Sequence, residues 1–248
     1  MKPVRTPDDV QQLGTILGVW AHPDDESFLA AGIMAAAIQN GQRVVCVTAT
    51  RGEAGVRDEK RWPVAELGEI RSAELEAALK ELGVQEHYWL GYHDGHCSTT
   101  MEEPALARLK SLVAECKPTT ILTFGPEGLT GHPDHCCVSG WAHKIADGAT
   151  VYHAVQEAAL YEKYLRAMDE QFDVYFNIDK PPLKVADECA IALELTPGLV
   201  DRKRTALLAM PSQYEGVLDI LPAADLEAIL GIECFVRASE SSRAKSGI

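Results

Sequence analysis

The stretch "GTILGVWAHPDDES" (14–27) joins an apolar run to a dense group of charged side chains. Its first part, 14–21, has the length and the apolar content of a buried β-strand. His22, Asp24 and Asp25 follow that run directly, with a proline among them. Proline and carboxylates are typical of a first helical turn, where the carboxylates cap free N–H groups. The stretch therefore predicts a strand, a polar turn and a helix in succession.

The first two thirds of the chain repeat this alternation of strand and helix. Strands are predicted over 14–21, 43–50, 86–91 and 119–125, and strand material over 180–197. Helices are predicted over 26–41, 64–83, 102–117, 133–147 and within 198–213. Such alternation predicts an α/β fold with a Rossmann-like, mostly parallel sheet and helices on both faces. In an open sheet of this kind, ligands bind at the carboxyl ends of the strands.

One domain is predicted over the whole chain, since 248 residues suit a single α/β core. The charged motifs fall within about 14–150. The pattern is less regular over 151–237, and the small polar tail 238–248 is expected to be mobile.

The composition excludes several classes of protein. An apolar fraction of 46% and a charged fraction of 24% are those of a soluble globular protein. A net charge of −14 argues against nucleic acid and anionic membranes as partners. No run approaches the ~18 apolar residues of a membrane span, and the first residues have no secretory apolar region. Seven scattered cysteines without a C-x-x-C pair suit reduced thiols, so a cytoplasmic location is expected.

A second charged tetrapeptide, "HPDH" (132–135), resembles "HPDD" (22–25) and follows the strand predicted over 119–125. The carboxyl ends of parallel strands meet at one edge of a sheet, so the two tetrapeptides are expected to converge. In each, the first and fourth side chains can face one way across a helical turn. This convergence is the strongest functional signal in the sequence.

The residue types in these tetrapeptides suit a catalytic metal. Zinc in such sites takes about three ligands from His, Asp and Glu and keeps a position open for water. The tetrapeptides offer three histidines and three aspartates, which exceeds that need and leaves groups for proton transfer. Helix capping by the same carboxylates is an alternative that can coexist with ligation. The spacing alone leaves open whether His132 or His135 is a ligand.

"AHPDDESF" (21–28) with the later "GHPDH" (131–135) resembles the PIG-L or LmbE-like family of metal-dependent N-acetylglucosaminyl deacetylases. The family includes the deacetylases of the mycothiol and bacillithiol pathways. "TRGEAG" (50–55) and the R-x-x-E helix in "EIRSAELEAALKELGV" (69–84) extend the resemblance, although both are weaker signals. The resemblance covers roughly 14–145.

This resemblance implies a ligand set of His22, Asp25 and His135 around Zn²⁺, with Fe²⁺ as an alternative. It also implies that Asp24 is the general base, and that His132 stabilises the oxyanion or protonates the leaving amine.

Further roles follow from the same resemblance. Asp134 would orient an imidazole, and the reaction would be attack of water on the amide carbonyl of an N-acylated amino sugar or its conjugate. Arg71 and Asp94 are expected to contact the sugar. The alternative for Arg71 is a pair with Glu74 on a solvated helix face, and the alternative for Asp94 is turn formation.

Other functions remain open at this stage. They are a hydrolase of another amide, a two-metal phosphoesterase, and a non-catalytic metal- or carbohydrate-binding module. The absence of G-x-G-x-x-G, P-loop and G-x-S-x-G motifs argues against dinucleotide binding, nucleotide hydrolysis and serine esterase chemistry. The acyl sugar, the oligomeric state (a homo-oligomer included) and the role of the last hundred residues stay undetermined. The roles of His93, His96, Cys97, Cys136 and Cys137 are also open.

Overall fold

The computed structural model describes residues 2–55, 58–172, 175, 177–216 and 222–239. The tail that was predicted to be mobile lies outside the described residues from position 240 onward.

The strands are β1 (Ile16–Trp20), β2 (Val44–Thr50), β3 (Glu86–Tyr92), β4 (Thr120–Phe124), β5 (Thr150–Ala154), β6 (Gln156–Glu157), β7 (Leu183–Lys184), β8 (Ile191–Glu194) and β9 (Ile232–Arg237). The α-helices are α1 (Asp25–Leu29), α2 (Ala31–Gln39), α3 (Val64–Leu82), α4 (Glu103–Cys116), α5 (Gly128–Gly131), α6 (Pro133–Lys144), α7 (Ala158–Leu160), α8 (Arg166–Phe172), α9 (Pro197–Leu208), α10 (Pro211–Tyr214) and α11 (Ala223–Leu230). Within the described ranges, no helix combines the length and the apolarity that a membrane span requires.

Within the described residues, seven strands form one sheet in the order β3-β2-β1-β4-β5-β9-β8. The first five strands in this order, β3, β2, β1, β4 and β5, are parallel to one another. Strand β9 is antiparallel to both β5 and β8. The predicted mostly parallel α/β fold is therefore confirmed. The chain adds β2 and β3 on one side of β1 and then β4 and β5 on its other side. Open α/β sheets bind ligands at such a switch point, which here lies between β1 and β4.

The central strands are buried along their whole length. Every residue of β1, β2 and β4 is buried, as expected for parallel strands that helices cover on both faces. Trp20 at the end of β1 packs edge-to-face on Phe124 at the end of β4, with ring centroids 5.5 Å apart. This contact places the carboxyl ends of the two strands side by side.

The helix predicted over 26–41 is broken into α1 and α2 at Ala30, whose φ of −138° and ψ of 11° leave the helical region. The cause lies far along the chain. Both carboxylate oxygens of Glu233 accept hydrogen bonds of 2.8 Å from the N–H groups of Gly32 and Ile33, which creates a new helix start. The helix expected in 198–213 is similarly divided into α9 and α10, because Pro211 cannot continue the first of them.

Candidate metal centre

The two charged tetrapeptides meet at the carboxyl ends of β1 and β4. The tetrapeptide 22–25 follows β1. The tetrapeptide 132–135 comes after the segment that follows β4, and it forms the start of α6. Ring nitrogens of His22, His132 and His135 lie within 4.8 Å of one another. His22 and His135 come together across 113 positions of sequence. The convergence expected from the strand order is present in the fold.

Donor atoms of three residues, His22, Asp25 and His135, lie close to one another. His22 Nδ1 lies 3.1 Å from His135 Nε2, and His135 Nε2 lies 3.5 Å from Asp25 Oδ1. His22 Nδ1 also lies 3.8 Å from Asp25 Oδ2. Bonds of about 2.0–2.1 Å in a tetrahedral zinc site separate the ligand atoms by about 3.3 Å. The residues present therefore fit such an ion.

The ring of His135 is fixed in the form that binds metals. Its Nδ1 lies 2.9 Å from the carbonyl oxygen of Gly128, and an N–H donated there leaves the lone pair on Nε2. The ring stacks on Phe124 with centroids 4.0 Å apart. Burial lowers the pKa of His135 well below its usual value, and the neighbouring His22 lowers it further. The neutral ring is the form that metal ligation requires.

Two carboxylates lie against the outer nitrogen of His22. Its Nε2 is 2.9 Å from Asp94 Oδ1 and 3.4 Å from Asp134 Oδ2. Burial opposes charge on the ring, but contact with Asp134 and Asp94 outweighs it and raises the pKa of His22 to about 10, so a metal ion at Nδ1 would have to displace the proton there. Carboxylates that contact the far nitrogen of a metal-binding histidine orient the ring and make it more basic. Asp94 is the closer of the two, although the sequence had indicated Asp134 for such support.

The carboxylate of Asp25 is held by the backbone of its own turn. Its Oδ2 accepts hydrogen bonds from the N–H groups of Ala21 and His22, at 3.1 and 2.8 Å. These two bonds leave Oδ1 on the side of His135. The carboxylate of Asp25 thus holds the turn before α1 and keeps Oδ1 beside His135, whereas the N-cap residue Asp24 makes no side-chain capping hydrogen bond.

Asp134 ties the loop after β3 to the start of α6. It is fully buried, and its two oxygens accept hydrogen bonds from the N–H groups of Gly95 (2.7 Å) and Cys97 (3.0 Å). Its own N–H donates to His132 Nδ1 at 3.2 Å. In that tautomer the remaining proton of His132 is on Nε2. Burial is the main cause that lowers the pKa of His132, so the neutral ring is favoured.

Asp24 has a strained backbone and an arginine partner. Its φ of +126° is rare for a residue with a side chain. Arg71 Nη2 donates a hydrogen bond of 3.1 Å to Asp24 Oδ2 and a second one to the carbonyl of Pro23. Arg71 Nη1 donates to the carbonyl of Gly52 at 2.8 Å. Arg71 is only 3% exposed, so the alternative of a solvated pair with Glu74 is wrong.

Gly52, in the "TRGEAG" stretch, is required by this arrangement. It has a φ of +66°, and a Cβ there would lie 2.3 Å from Arg71 Nη1. A side chain at this position would displace the guanidinium from Asp24.

A cleft of about 290 Å³ contains these groups. It is lined by His22, Asp24, Asp25, Gly55, Arg71, Asp94, Thr130, His132, His135 and Gln213. Of the residues predicted for the site, only Asp134 is absent from the lining, because it lies behind His22. Sequence reasoning missed Gln213, which is in the less regular last third and carries no local motif.

A larger groove of about 580 Å³ lies beside the cleft, along α6. Cys97, Cys136, Cys137 and His143 line it, together with the Lys144–Glu102 ion pair. None of the candidate metal groups within the described part of the chain includes a cysteine. His93 is also outside the cleft, with its side chain 89% exposed and in contact with Glu53. The chemistry is therefore concentrated in the smaller cleft.

The family profile described as "PIG-L: GlcNAc-PI de-N-acetylase" matches residues 17–146. The 1D-myo-inositol 2-acetamido-2-deoxy-alpha-D-glucopyranoside deacetylase of Mycobacteroides abscessus is 31% identical over 227 residues, which are 83% of this chain and 78% of that protein. The fold and the site define an α/β protein with a candidate His/Asp metal centre at the carboxyl ends of its strands. The chain belongs to the PIG-L family.

Two further comparisons set the extent of the similarity. The Streptomyces griseus protein of the same name is 35% identical over 159 residues, and this chain spans only 46% of its length. The solved N,N'-diacetylchitobiose deacetylase from Pyrococcus horikoshii has 19% identity and a TM-score of 0.61, covering 92% of this chain and 85% of that one. This structural likeness supports the fold.

Proposed function

We propose that this protein is a metal-dependent hydrolase that removes an N-acetyl, or another N-acyl, group from an amino sugar or its conjugate. The observation that carries the proposal is the close approach of His22 Nδ1, His135 Nε2 and the Asp25 carboxylate, whose Oδ1 lies near His135 and whose Oδ2 lies near His22, beside the carboxylate of Asp24. The names of the relatives, which are deacetylases of an N-acetylglucosamine conjugate, support the same reaction.

His22, Asp25 and His135 would hold the metal, which we propose to be Zn²⁺, with Fe²⁺ as the alternative. The chemistry such an ion supplies is Lewis acidity, which acidifies water and polarises a carbonyl. His132 is close enough to compete for the third position. We favour Asp25 because two backbone N–H groups fix its carboxylate and leave one oxygen beside His135.

Asp24 is the proposed general base, which takes a proton from the attacking water. Arg71 holds its carboxylate in place through the 3.1 Å hydrogen bond. His132 would donate a hydrogen bond from its Nε2–H to the developing oxyanion, since its Nδ1 accepts from the N–H of Asp134. The proton that Asp24 has taken from water would be transferred to the leaving amine as the C–N bond breaks, which balances the cleavage.

Asp134 and Asp94 would keep the imidazole of His22 oriented. Asp94 and Arg71 also line the cleft, so both remain proposed contacts of the sugar. The proposed substrate is a small-molecule N-acylated amino sugar or glycoside. All seven cysteines are free thiols, which supports the proposal that the protein works in the reducing cytoplasm.

The decisive test combines metal content with amine release. The purified protein is stripped with a chelator, reloaded with Zn²⁺ or Fe²⁺, and assayed for free amine from N-acetylglucosamine conjugates. We expect about one metal per chain and amine release that depends on it. Asp24→Ala should retain the metal and lose turnover by about 10²–10⁴-fold. Full turnover by this variant would remove Asp24 as the base.

The same measurement separates the alternatives. About two metals per chain with phosphoester hydrolysis would favour the phosphoesterase. Amine release from a simple amide but from no amino sugar would favour a different amidohydrolase, and no metal after reloading would favour a binding module.

Variants of the histidines test the ligand set. His135→Ala and Asp25→Ala should lose the metal, whereas His132→Ala should keep it and lose turnover. Metal loss in His132→Ala with retention in Asp25→Ala would instead assign the third ligand to His132.

A further inference from the structure

Helix α10 (Pro211–Tyr214) adds a residue from the last third of the chain to the catalytic cleft. Gln213 is the residue it contributes to the cleft lining. Its side chain is only 8% exposed, although it stands on a helix of a single turn. A turn this short has little stability of its own, so other contacts must fix its position.

Glu74 supplies the strongest of those contacts. It lies on α3, one turn after Arg71, and it is buried. Its Oε1 accepts a hydrogen bond of 2.8 Å from the N–H of Ser212, and its Oε2 accepts one of 2.5 Å from the Ser212 hydroxyl. Both oxygens of a buried carboxylate are therefore used to hold the residue next to Gln213. Hydrogen bonds to a charged group are among the stronger ones in proteins.

Two more contacts continue this arrangement. Gln213 Nε2 donates to the Ser212 hydroxyl at 3.2 Å and, more weakly, to the carbonyl of Gly55 at 3.4 Å. Just after α10, Glu215 forms a two-pronged pair with Arg61, at 2.6 and 2.8 Å. The carboxamide nitrogen of Gln213 is thus used in hydrogen bonds to Ser212 and Gly55. Its Oε1 accepts no hydrogen bond from the residues that the structure describes.

We infer that Gln213 binds a hydroxyl group of the sugar part of the substrate and that Glu74 is a positioning residue for Gln213. The inference rests on the proposed function and deepens it. A carboxamide oxygen accepts a hydrogen bond from a hydroxyl without a charge that would compete for the metal. Asp94 and Arg71, the other proposed contacts of the sugar, also bind at the centre, Asp94 to His22 and Arg71 to Asp24. Gln213 is a neutral polar side chain placed beside them.

The first test is Gln213→Leu, assayed with N-acetylglucosamine and N,N'-diacetylchitobiose. The change keeps the bulk of the side chain and removes the acceptor. We expect KM to rise about tenfold with kcat within about twofold, since one hydrogen bond to bound substrate is lost. The matched control is Gln85→Leu, at an exposed position outside the site, which should leave both constants unchanged.

The second test separates positioning from simple stability. Glu74→Gln keeps one oxygen for the N–H of Ser212 but removes the charge and the acceptor of its hydroxyl, so α10 should be held less firmly and KM should rise. In the double variant with Gln213→Leu, KM should be no higher than in Gln213→Leu alone, because Glu74 would act through Gln213. The control on the same helix is Glu76→Gln, which is exposed. Metal content should be unchanged in every variant.

The outcomes distinguish this inference from the proposed function. A metal-loaded wild-type protein that releases no amine from these two sugars or from any other N-acetylglucosamine conjugate would overturn both. If the wild-type protein does release amine, and the KM of Gln213→Leu is within twofold of the wild-type KM, the inference alone would be overturned. If the KM increase of the double variant equals the product of the increases of the two single variants, Gln213 remains a substrate contact. Glu74 would then have no positioning role for Gln213.

Discussion

The guanidinium of Arg71 contacts the carboxylate of Asp24, with 3.1 Å between Nη2 and Oδ2. The same group binds the carbonyl oxygens of Pro23 and Gly52, so it joins the turn after β1 to the turn after β2. Arg71 is therefore placed to orient the proposed base and also to hold both turns around the cleft.

Arg71→Lys should lower kcat by at least about tenfold while the protein still folds. A lysine keeps the charge, but a single ammonium cannot match the planar fork that reaches three acceptors. Steady-state kinetics and circular dichroism measure the two effects. Arg43→Lys, in the surface pair with Glu86, is the matched control and should leave kcat unchanged. Full activity in Arg71→Lys would show that charge alone suffices at this position.

The backbone strain at Asp24 gives a second prediction. A φ of +126° is accessible to glycine and costly for residues with a Cβ. Asp24→Gly and Asp24→Ala both remove the carboxylate, so both should be inactive. Their stabilities should differ, with the glycine variant more stable by about 1 kcal/mol in urea unfolding. Equal stabilities would mean that the turn relaxes when the carboxylate is removed.

Much of the sheet and of the metal site follows from local sequence. The apolar runs that became β1, β2 and β4 were evident because parallel strands buried on both faces are apolar throughout. The two histidine–aspartate tetrapeptides converge because they follow neighbouring strands of that sheet. The tetrapeptides and the strand order could therefore indicate half of the residues that line the cleft, and the family resemblance added Arg71 and Asp94.

Contacts between distant segments could not be read in the same way. The break at Ala30 depends on Glu233, about two hundred positions away, and no local pattern indicates it. Gln213 reaches the cleft because Glu74 binds Ser212 across 138 positions. Whether Asp94 or Asp134 lies nearer to His22 depends on the path of the loop after β3. Periodicity and turn signals contain no information on these three-dimensional choices.

His153 should make the protein sensitive to acid. Burial, together with the nearby His143, lowers the pKa of His153 to about 4, while its ordinary value is 6.5. The unfolded chain therefore binds this proton first as the pH falls, so stability present above pH 6.5 is lost between about 6.5 and 4. The loss from this group is about 3 kcal/mol.

Urea unfolding of the metal-free protein at several pH values measures this loss. His153→Gln should show a shallower decline than the wild type between pH 6.5 and 4. His93→Gln, at an exposed site, should follow the wild-type curve. Parallel curves for His153→Gln and the wild type would assign the acid sensitivity to other groups.

Lys203 and Glu233 form a buried ion pair, with 2.9 Å between Nζ and Oε1 and each residue only 2% exposed. Lys203→Met should destabilise the protein by about 3–5 kcal/mol, because it leaves the carboxylate of Glu233 buried without its counter-charge. The double variant Lys203→Met/Glu233→Gln should recover part of that loss, since a neutral carboxamide oxygen can still accept from the N–H groups of Gly32 or Ile33.

Urea unfolding measures these differences in stability. Arg204→Met, which breaks the exposed pair with Asp201, is the control and should change stability by less than about 1 kcal/mol. If the double variant were as unstable as Lys203→Met, the packing of the lysine stem, rather than an unpaired charge, would explain the loss. Recovery in the double variant would instead mean that Glu233 stabilises the start of α2 mainly as a hydrogen-bond acceptor.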